Sequence, residues 1–351
     1  MPGYEVFDHR ERQAVNDLFD ANGGVLFAHG FDDIRNGVYR VREFEAAFAS
    51  HFGFPHAQAV STGSAALRLA LETLGVGRGD EVIVPAHTFI ATVEAVLQVG
   101  AIPVVVDIDE SLNINTAAAA QAITSRTRAL VPVHMMGELA DMVAVMSLAE
   151  KHNLLVVEDC AQALGASLNG VFAGSFGHAA AFSTDAGKTI CTGEGGVVVT
   201  QSEHDYVRSR ALHDHGHAYD PDVPRGLDPA IATGFNYRMT ELQAAIGIVQ
   251  LDKLNVIVAG QRRNRSRFVE RLDTLPVPIR PCLDPSGALD DTLVLLMPTE
   301  VQASVMATHM ATHGVGTKNL PSAMRWHFAG CWEHLLGPAD GRWSSSAAIL
   351  N

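Results

Sequence analysis

The chain has 351 residues, of which 47% are hydrophobic and 18% charged, so it is long enough for one large domain with a smaller one and too apolar to be disordered. Its formal net charge of -14 argues against nucleic acid and anionic membranes as partners, because both require clustered cations. We expect small-molecule partners, and the apolar composition predicts surface that is hidden in an oligomer, at least a dimer.

The N-terminus carries acidic residues and lacks the basic start and apolar run of a signal peptide, so we expect a cytoplasmic protein. Polar residues interrupt the longest apolar stretch, residues 82–108, which therefore falls short of a membrane span. The four cysteines show no CxxC spacing, and neither a metal site nor a disulfide framework is predicted.

Lysine is scarce: the 25 cationic residues include four lysines, Lys151, Lys188, Lys253 and Lys318. Arginine cannot act as a nucleophilic amine at neutral pH, whereas a buried lysine can lose its proton. Each lysine is therefore a candidate for chemistry.

The first two thirds of the chain alternate short apolar runs with helical patterns, which is typical of an α/β fold. Several runs are continuously apolar, as expected for a mostly parallel, seven-stranded sheet wrapped by helices. The predicted strands are Gln58–Val60, Glu81–Val84, Ile102–Ile108, Ala129–Val133, Leu154–Glu158, Ala179–Ser183 and Gly196–Thr200. The predicted helices are Ser64–Leu74, Thr88–Val99, Leu139–His152, Glu203–His213 and Met239–Leu254.

The composition changes near Lys253, where an arginine-rich helix, Gln261–Leu272, leads to prolines at 276, 278 and 281. A strand, Thr292–Met297, and a helix, Val301–His313, are predicted beyond them. We therefore expect a large domain over residues 1–252 and a smaller C-terminal α+β domain over residues 253–351.

Residues 61–66, Ser-Thr-Gly-Ser-Ala-Ala, lie between a predicted strand and a predicted helix. Small residues there let backbone N–H groups approach an anion at the helix N-terminus, so the segment predicts a phosphate-binding turn. Taken alone, however, the segment is more typical of ordinary N-terminal capping.

Asp159 ends a buried strand, at the edge where open sheets bind ligands. A carboxylate there suits the pyridine nitrogen of pyridoxal 5'-phosphate (PLP), although it is also compatible with a turn cap. Lys188 follows in a small-residue turn between two buried strands, where a solvated loop lysine is the alternative. Together the turn, the acid and the lysine supply three separate needs of PLP.

These residues resemble the DegT/StrS family of sugar aminotransferases, within the fold-type-I PLP enzymes, from residue 2 to the end of the chain. The resemblance rests on residues 60–67, 79–85, 158–162, 181–196 and 234–241. It implies that Lys188 forms the Schiff base with PLP and moves the proton, and that Asp159 pairs with the pyridine nitrogen. It further implies that Phe89 stacks on the ring and that Gln162 lies near its 3-oxygen.

The same resemblance places the phosphate beside Thr62, Gly63, Ser64 and Ser183, with Asn236 reaching in from the partner subunit. A homodimer with shared active sites follows from that role. The implied reaction is transamination from an amino acid, L-glutamate, to a small carbonyl acceptor.

Residues 1–7, Arg35–Asn36 and residues 214–217 are most similar to the family branch that makes 8-amino-3,8-dideoxy-D-manno-octulosonate. The acceptor there is the 8-oxo sugar acid, and an intermediate of natural-product assembly is the alternative acceptor. Family members usually continue beyond the position of Asn351, so we expect a truncated sequence or an abbreviated small domain. The candidate substrate contacts are Arg35, His87, His134, His215, His217 and Arg238, with the two arginines as carboxylate receptors.

Three other functions are open at this point. A sugar dehydratase of similar fold carries histidine in place of the lysine, but Lys188 is present. A non-catalytic regulator would keep the fold and bind a sugar or PLP. A nicotinamide-linked dehydrogenase is disfavoured because no GxGxxG follows the first strand.

Overall fold

Short apolar runs form the strands of one central sheet, and the computed structural model of the chain describes residues 2–272 and 277–336. Pro276 and residues 337–351, part of the predicted link and the end of the predicted small domain, lie outside the described residues. The strands are β1 (His56–Val60), β2 (Glu81–Pro85), β3 (Ile102–Val106), β4 (Thr127–Leu130), β5 (Leu155–Asp159), β6 (Ser167–Leu168), β7 (Val171–Phe172), β8 (Ala179–Ser183) and β9 (Gly196–Thr200).

The central sheet has the strand order β1-β9-β8-β5-β4-β2-β3, while β6 and β7 form a separate hairpin. Strand β9 is antiparallel to both of its neighbours, and the remaining strands of the sheet run in one direction. The predicted, mostly parallel seven-stranded sheet is confirmed, and the predicted strands match the observed ones to within a few residues. Parallel strands bring their carboxyl ends to one edge of the sheet, where the site is built.

Helices cover both faces of the sheet. They are α1 (His9–Ala21), α2 (Arg40–Phe52), α3 (Gly63–Thr73), α4 (Ala91–Gln98), α5 (Thr116–Ala122), α6 (Met142–His152), α7 (Glu203–Leu212), α8 (Glu241–Leu272), α9 (Glu300–Thr312) and α10 (Glu333–Leu336). Alternate strand residues face opposite layers: Val156 and Phe182 pack with α2, α6 and α8, whereas Val157 and Ala181 pack with α3 and α4.

Helix α8 corrects the prediction of two helices around residue 255. It is continuous from Glu241 to Leu272, because Gly260 is buried inside it and no proline interrupts it. The predicted boundary at residues 252 and 253 falls inside this helix. One window of α8 is long and apolar enough to cross a membrane, yet half of that window is buried, as in a core helix.

The predicted strand Thr292–Met297 is also wrong. Only Leu295 in it forms a bridge, an isolated antiparallel one to Ile279. The described residues 277–336 otherwise contain α9, α10 and short 3-10 turns between irregular segments.

Candidate active site

The carboxyl ends of three strands bring the predicted cofactor residues to one edge of the sheet. Thr62 follows β1, Asp159 ends β5 and Ser183 ends β8. Asp159 stands opposite Ala181 in the β5–β8 register, and Ser183 stands opposite Gly196 in the β8–β9 register. Lys188 lies in the turn between β8 and β9, which begins at this same edge.

Asp159 is a buried carboxylate whose orientation is fixed by two donors. Thr92 Oγ1 donates to its Oδ2 at 2.7 Å, and the Ala161 N–H donates to its Oδ1 at 3.1 Å. Burial raises the pKa of Asp159 above its usual range, and these two hydrogen bonds together with the Lys188 ammonium offset part of the rise. A cationic N–H facing Asp159 would therefore stabilise the ionised form of an otherwise costly buried acid.

Lys188 is partly buried, with 19% of its side chain exposed. Its Nζ lies 3.9 Å from Asp185 Oδ2, a long ion pair with a half-exposed acid that holds the ammonium weakly. The Lys188 charge acts on Asp159 and on His327, so these three groups are electrostatically coupled.

The start of helix α3 offers two unsatisfied backbone donors. Thr62 is the N-cap, and its Oγ1 accepts the Ala65 N–H at 3.0 Å. No described residue accepts a hydrogen bond from the N–H of Gly63 or of Ser64. Glycine is required at 63, because a Cβ there would lie 2.6 Å from the Cβ of Ser183. The turn is thus a compact anion cradle beside Ser183.

Phe89 follows β2 and Gln162 follows β5, at the carboxyl ends of these two parallel strands. Phe89 is exposed over 43% of its surface, and its ring centroid lies 5.2 Å from that of His327. Gln162 Oε1 accepts the Met136 N–H at 3.0 Å, which leaves the amide NH2 group to donate elsewhere. An open aromatic face and a free amide donor are suitable groups for a flat heteroaromatic ring.

Thr88 and Thr92 are residues that the sequence analysis missed. Both are buried, and their hydroxyl oxygens lie 2.6 Å apart. Since Thr92 donates its single proton to Asp159, Thr88 is the donor to Thr92. The signal was present in the sequence as two hydroxyls one helical turn apart, just after a buried strand.

His327 is the other missed residue. Residues 325–329 run antiparallel to residues 86–90: Thr88 N–H donates to His327 O at 3.0 Å, and Ile90 N–H donates to Trp326 O at 2.9 Å. Burial, aided by the charges of His87, Lys188 and Lys318, lowers the pKa of His327 to about 4. The chain thus presents a neutral imidazole to the site.

His87, a predicted substrate contact, lies next to this segment and is fully buried. Its ring stacks on Phe328 with centroids 4.6 Å apart, and its Nδ1 donates to Leu112 O at 3.0 Å. Its Nε2 has no hydrogen-bond partner within residues 2–272 and 277–336. Burial lowers the pKa of His87, so this nitrogen is a bare acceptor.

Arg35 and Arg238 are not free to receive a substrate carboxylate, which corrects that prediction. Arg35 is fully buried, 3.0 Å from Glu241 Oε1, and donates to the carbonyls of residues 27, 30 and 38. Arg238 is paired with the buried Asp214. Both guanidinium groups serve to join chain segments.

His134 is likewise a structural residue. It is fully buried, its Nε2 donates to Glu158 Oε2 at 3.0 Å, and its Nδ1 accepts the Ala140 N–H. His134, Glu158 and Cys160 place three potential metal ligands within 4.8 Å of one another. The Glu158 carboxylate, however, already accepts three backbone N–H groups and the imidazole, so this cluster is occupied by hydrogen bonds.

The loop after α7 carries Asn236, His215 and His217. Asn236 is exposed, and its Oδ1 accepts the Arg238 N–H at 3.3 Å. His217 Nδ1 lies 3.2 Å from Asp228 Oδ2, whereas His215 is exposed with a φ of 57°. Among the described residues, none of these three side chains hydrogen-bonds to Asp159 or Lys188, and their predicted roles in binding stay predictions.

The site fits PLP in three respects. A buried, donor-fixed carboxylate suits a pyridinium N–H, two N–H groups without a described acceptor at a helix start suit a phosphate, and the turn that begins at the same edge carries a partly buried lysine. The glycine at 63, where a Cβ would collide with Ser183, keeps the phosphate position open.

Comparison with known proteins agrees with this fit. Residues 31–336 match the DegT/DnrJ/EryC1/StrS aminotransferase family. The chain is 43% identical over 234 residues to GDP-perosamine synthase of Caulobacter vibrioides, covering 66% of this chain and 62% of that protein. It is 44% identical over 235 residues to UDP-N-acetyl-3-dehydro-alpha-D-glucosamine 3-aminotransferase of Acidithiobacillus ferrooxidans, covering 66% and 61%.

The chain thus spans less than two thirds of the length of these two curated relatives. Among solved structures, it superimposes on DesV of S. venezuelae, determined in complex with a ketimine intermediate, with a TM-score of 0.81 and 31% identity. That match covers 98% of this chain and 88% of the other.

Proposed function

Because the chain belongs to the DegT/DnrJ/EryC1/StrS aminotransferase family, we propose that it uses PLP to move an amino group from an amino acid to a carbonyl of a sugar. The observation that carries this proposal is the placement of Asp159, Lys188 and the open start of helix α3 at one edge of the sheet. These groups match three functions of one cofactor and have no comparable use in a nicotinamide site.

PLP, when bound, supplies an electron sink for negative charge at the carbon that bears the amine. Asp159 would hold the pyridine N–H, and Thr92 would keep the carboxylate ionised and oriented. Gly63, Ser64 and Ser183 would hold the phosphate. Lys188 Nζ would take the proton from the α-carbon of the donor in the first half of the reaction, and in the second half it would deliver a proton to the acceptor carbon that receives the amine.

A neutral His327 suits a hydroxylated acceptor. An imidazole that is kept uncharged by burial and by neighbouring cations accepts hydrogen bonds from sugar hydroxyls without attracting anions to the amine site. With Arg35 and Arg238 already paired, no carboxylate receptor is assigned to them in the proposed reaction.

For the acceptor, we propose the 8-oxo group of 3,8-dideoxy-manno-octulosonate, on the strength of residues 1–7, 35–36 and 214–217. The named relatives act on nucleotide-linked sugars, so a ring ketone of such a sugar is the competing acceptor. L-Glutamate is the proposed donor.

We also propose that the active unit is a homodimer, supported by the exposed side chain of Asn236. Its amide NH2 group has no partner among the described residues, and the residue stands next to Asp214, which is fixed by His29, Tyr219, Arg225 and Arg238. Such a loop is rigid enough to present Asn236 to a second copy.

The test is a two-stage assay of the PLP-loaded full chain. L-Glutamate should yield 2-oxoglutarate, and the aminated enzyme should then convert one acceptor to an amino sugar, identified by its mass. The acceptor panel contains the 8-oxo sugar acid and UDP-N-acetyl-3-dehydro-glucosamine, and Lys188→Ala is the inactive control.

Amination of the nucleotide-linked sugar alone would replace the acceptor proposal and keep the reaction type. PLP binding without turnover of any amino acid would contradict the aminotransferase proposal and favour a regulator.

A further inference from the structure

The N-terminal segment, residues 2–11, contacts the backbone of the turn that carries Lys188. The Gly3 N–H donates to the carbonyl oxygen of Lys188 at 2.9 Å. This is a hydrogen bond between residues 185 positions apart in the sequence, and it ends on the main chain of the proposed catalytic lysine.

Gly3 fits in a narrow slot. A Cβ at this position would lie 2.4 Å from Gln250 Oε1, 2.7 Å from the Cys191 nitrogen and 2.9 Å from Ile190 Cα. Two of these three atoms belong to the backbone and cannot swing away. The close approach therefore requires glycine, although its φ is ordinary.

Gln250 of helix α8 joins the two sides of this slot. Its Oε1 accepts the Cys191 N–H at 3.2 Å, and its Nε2 donates to Glu11 Oε1 at 2.7 Å. One fully buried amide thus connects the Lys188 turn to helix α1.

A buried ion pair anchors the N-terminal segment on helix α8. Lys253 Nζ donates to Glu11 Oε1 at 2.6 Å and to Val6 O at 2.7 Å, and it lies 3.3 Å from Asp8 Oδ2. Glu11 and Lys253 are each 4% exposed. Burial raises the pKa of Glu11, but the hydrogen bonds from Asp8 N–H, Lys253 and Gln250 outweigh it and lower the pKa overall.

This pair accounts for a second of the four lysines. Removing one partner of a buried pair leaves an uncompensated charge, so the pair fixes the segment firmly. Tyr4 and Phe7, in contrast, are 51% and 43% exposed, so apolar burial of their side chains contributes little to the anchoring.

We propose that the N-terminal segment is a positioning element for Lys188: the Glu11–Lys253 pair anchors it, and Gly3 and Gln250 hold the backbone of residues 188–191. The role of Lys188 in this inference rests on the proposed function. Fixing the lysine backbone limits where its Nζ can reach, which matters because small misplacements of a catalytic group are costly.

The test compares hydrogen exchange of the full chain without PLP in Gly3→Ala and Gly77→Ala. Gly77 is a matched control, since a Cβ there would meet only Val99 O, at 3.8 Å. In Gly3→Ala, amides of residues 188–193 should exchange about five- to tenfold faster, the factor for one lost hydrogen bond, with β5 unchanged. Gly77→Ala should match the wild type in both segments.

Unchanged exchange in residues 188–193 of a folded Gly3→Ala protein, or equal acceleration throughout the chain, would overturn the inference. If Gly3→Ala does not fold, deletion of residues 1–4 removes the same donor and leaves Glu11 and Lys253 paired. It should loosen the same turn.

With PLP present, Gly3→Ala and the deletion of residues 1–4 should each lower kcat, while the KM for the amino donor stays constant. A loosened turn with unchanged kcat would also refute the positioning role. A wild-type chain that binds no PLP would remove the proposed function and leave the exchange result standing.

Discussion

Thr92→Val isolates the hydroxyl that holds Asp159. Valine keeps the shape of threonine but deletes the donor that lies 2.7 Å from Asp159 Oδ2. A hydrogen bond to a buried charge contributes about 1.5–3 kcal/mol. At about 1.4 kcal/mol per pKa unit, the pKa of Asp159, already raised by burial, should rise by about 1–2 units more.

The direction of the pH effect on PLP affinity follows because PLP requires the ionised form of Asp159. PLP affinity should fall as pH decreases through the pKa of Asp159, and in Thr92→Val this fall should begin about 1–2 pH units higher. The pH dependence of stability without PLP gives a second readout. A carboxyl whose pKa is raised by folding destabilises the fold above its unfolded pKa, so the variant should lose stability relative to wild type at high pH and not at low pH.

The assay is a fluorescence titration of PLP affinity across pH, with two controls. Thr92→Ser keeps the hydroxyl and should restore the wild-type midpoint. Thr73→Val makes the same substitution at a buried threonine whose Oγ1 has no partner in the part of the chain that the structure describes, and it should leave the midpoint unchanged. An unchanged midpoint in Thr92→Val, or an equal shift in Thr73→Val, would refute the reasoning.

Three further predictions concern residues around the site. Gly63→Ala should weaken PLP binding about tenfold or more, because its Cβ would lie 2.6 Å from Ser183 Cβ. A titration with inorganic phosphate should show the same weakening. Equal phosphate affinity in the variant and the wild type would argue against the anion cradle. His327→Gln should reduce the loss of stability on acidification between pH 6.5 and about 4, because wild-type His327 takes up its proton more readily when unfolded. Equal losses of unfolding free energy in the variant and in the wild type between pH 7 and pH 5, measured by denaturant titration, would contradict this. Arg35→Ala should cost about 3–5 kcal/mol of unfolding free energy by stranding Glu241, with KM for the donor unchanged in the folded fraction; a raised KM would return Arg35 to the substrate site.

The residues that could be predicted from the sequence are those fixed by local pattern. Asp159 and Ser183 end continuously apolar runs, and the ends of parallel strands meet at one edge whatever the rest of the chain does. Gly63 and Thr62 stand at a strand-to-helix turn with its own capping signal. The strands of the central sheet and the turn at residues 62–64 could therefore be predicted from short segments of the sequence.

The residues that were missed or misassigned depend on distant partners. Arg35 pairs with Glu241, 206 positions away, and such burial cannot be inferred from Arg35 and its neighbours. His327 reaches the site because residues 325–329 pair with residues 86–90, a contact between irregular segments that leaves no periodic signal. Gly260 lies between the two predicted helices that end at Leu254 and begin at Gln261, but tertiary burial carries α8 through it, since packing overrides a propensity cost of about 1 kcal/mol.

The central claim is that Lys188 is the lysine that reacts with PLP, and the chain allows a direct test because it has only four lysines. The PLP-loaded protein is reduced with borohydride, digested and mapped by mass spectrometry. We expect the pyridoxyl group on the peptide containing Lys188 and none on Lys188→Ala. Label on Lys151, Lys253 or Lys318 instead, or no label on a protein that binds PLP, would contradict it.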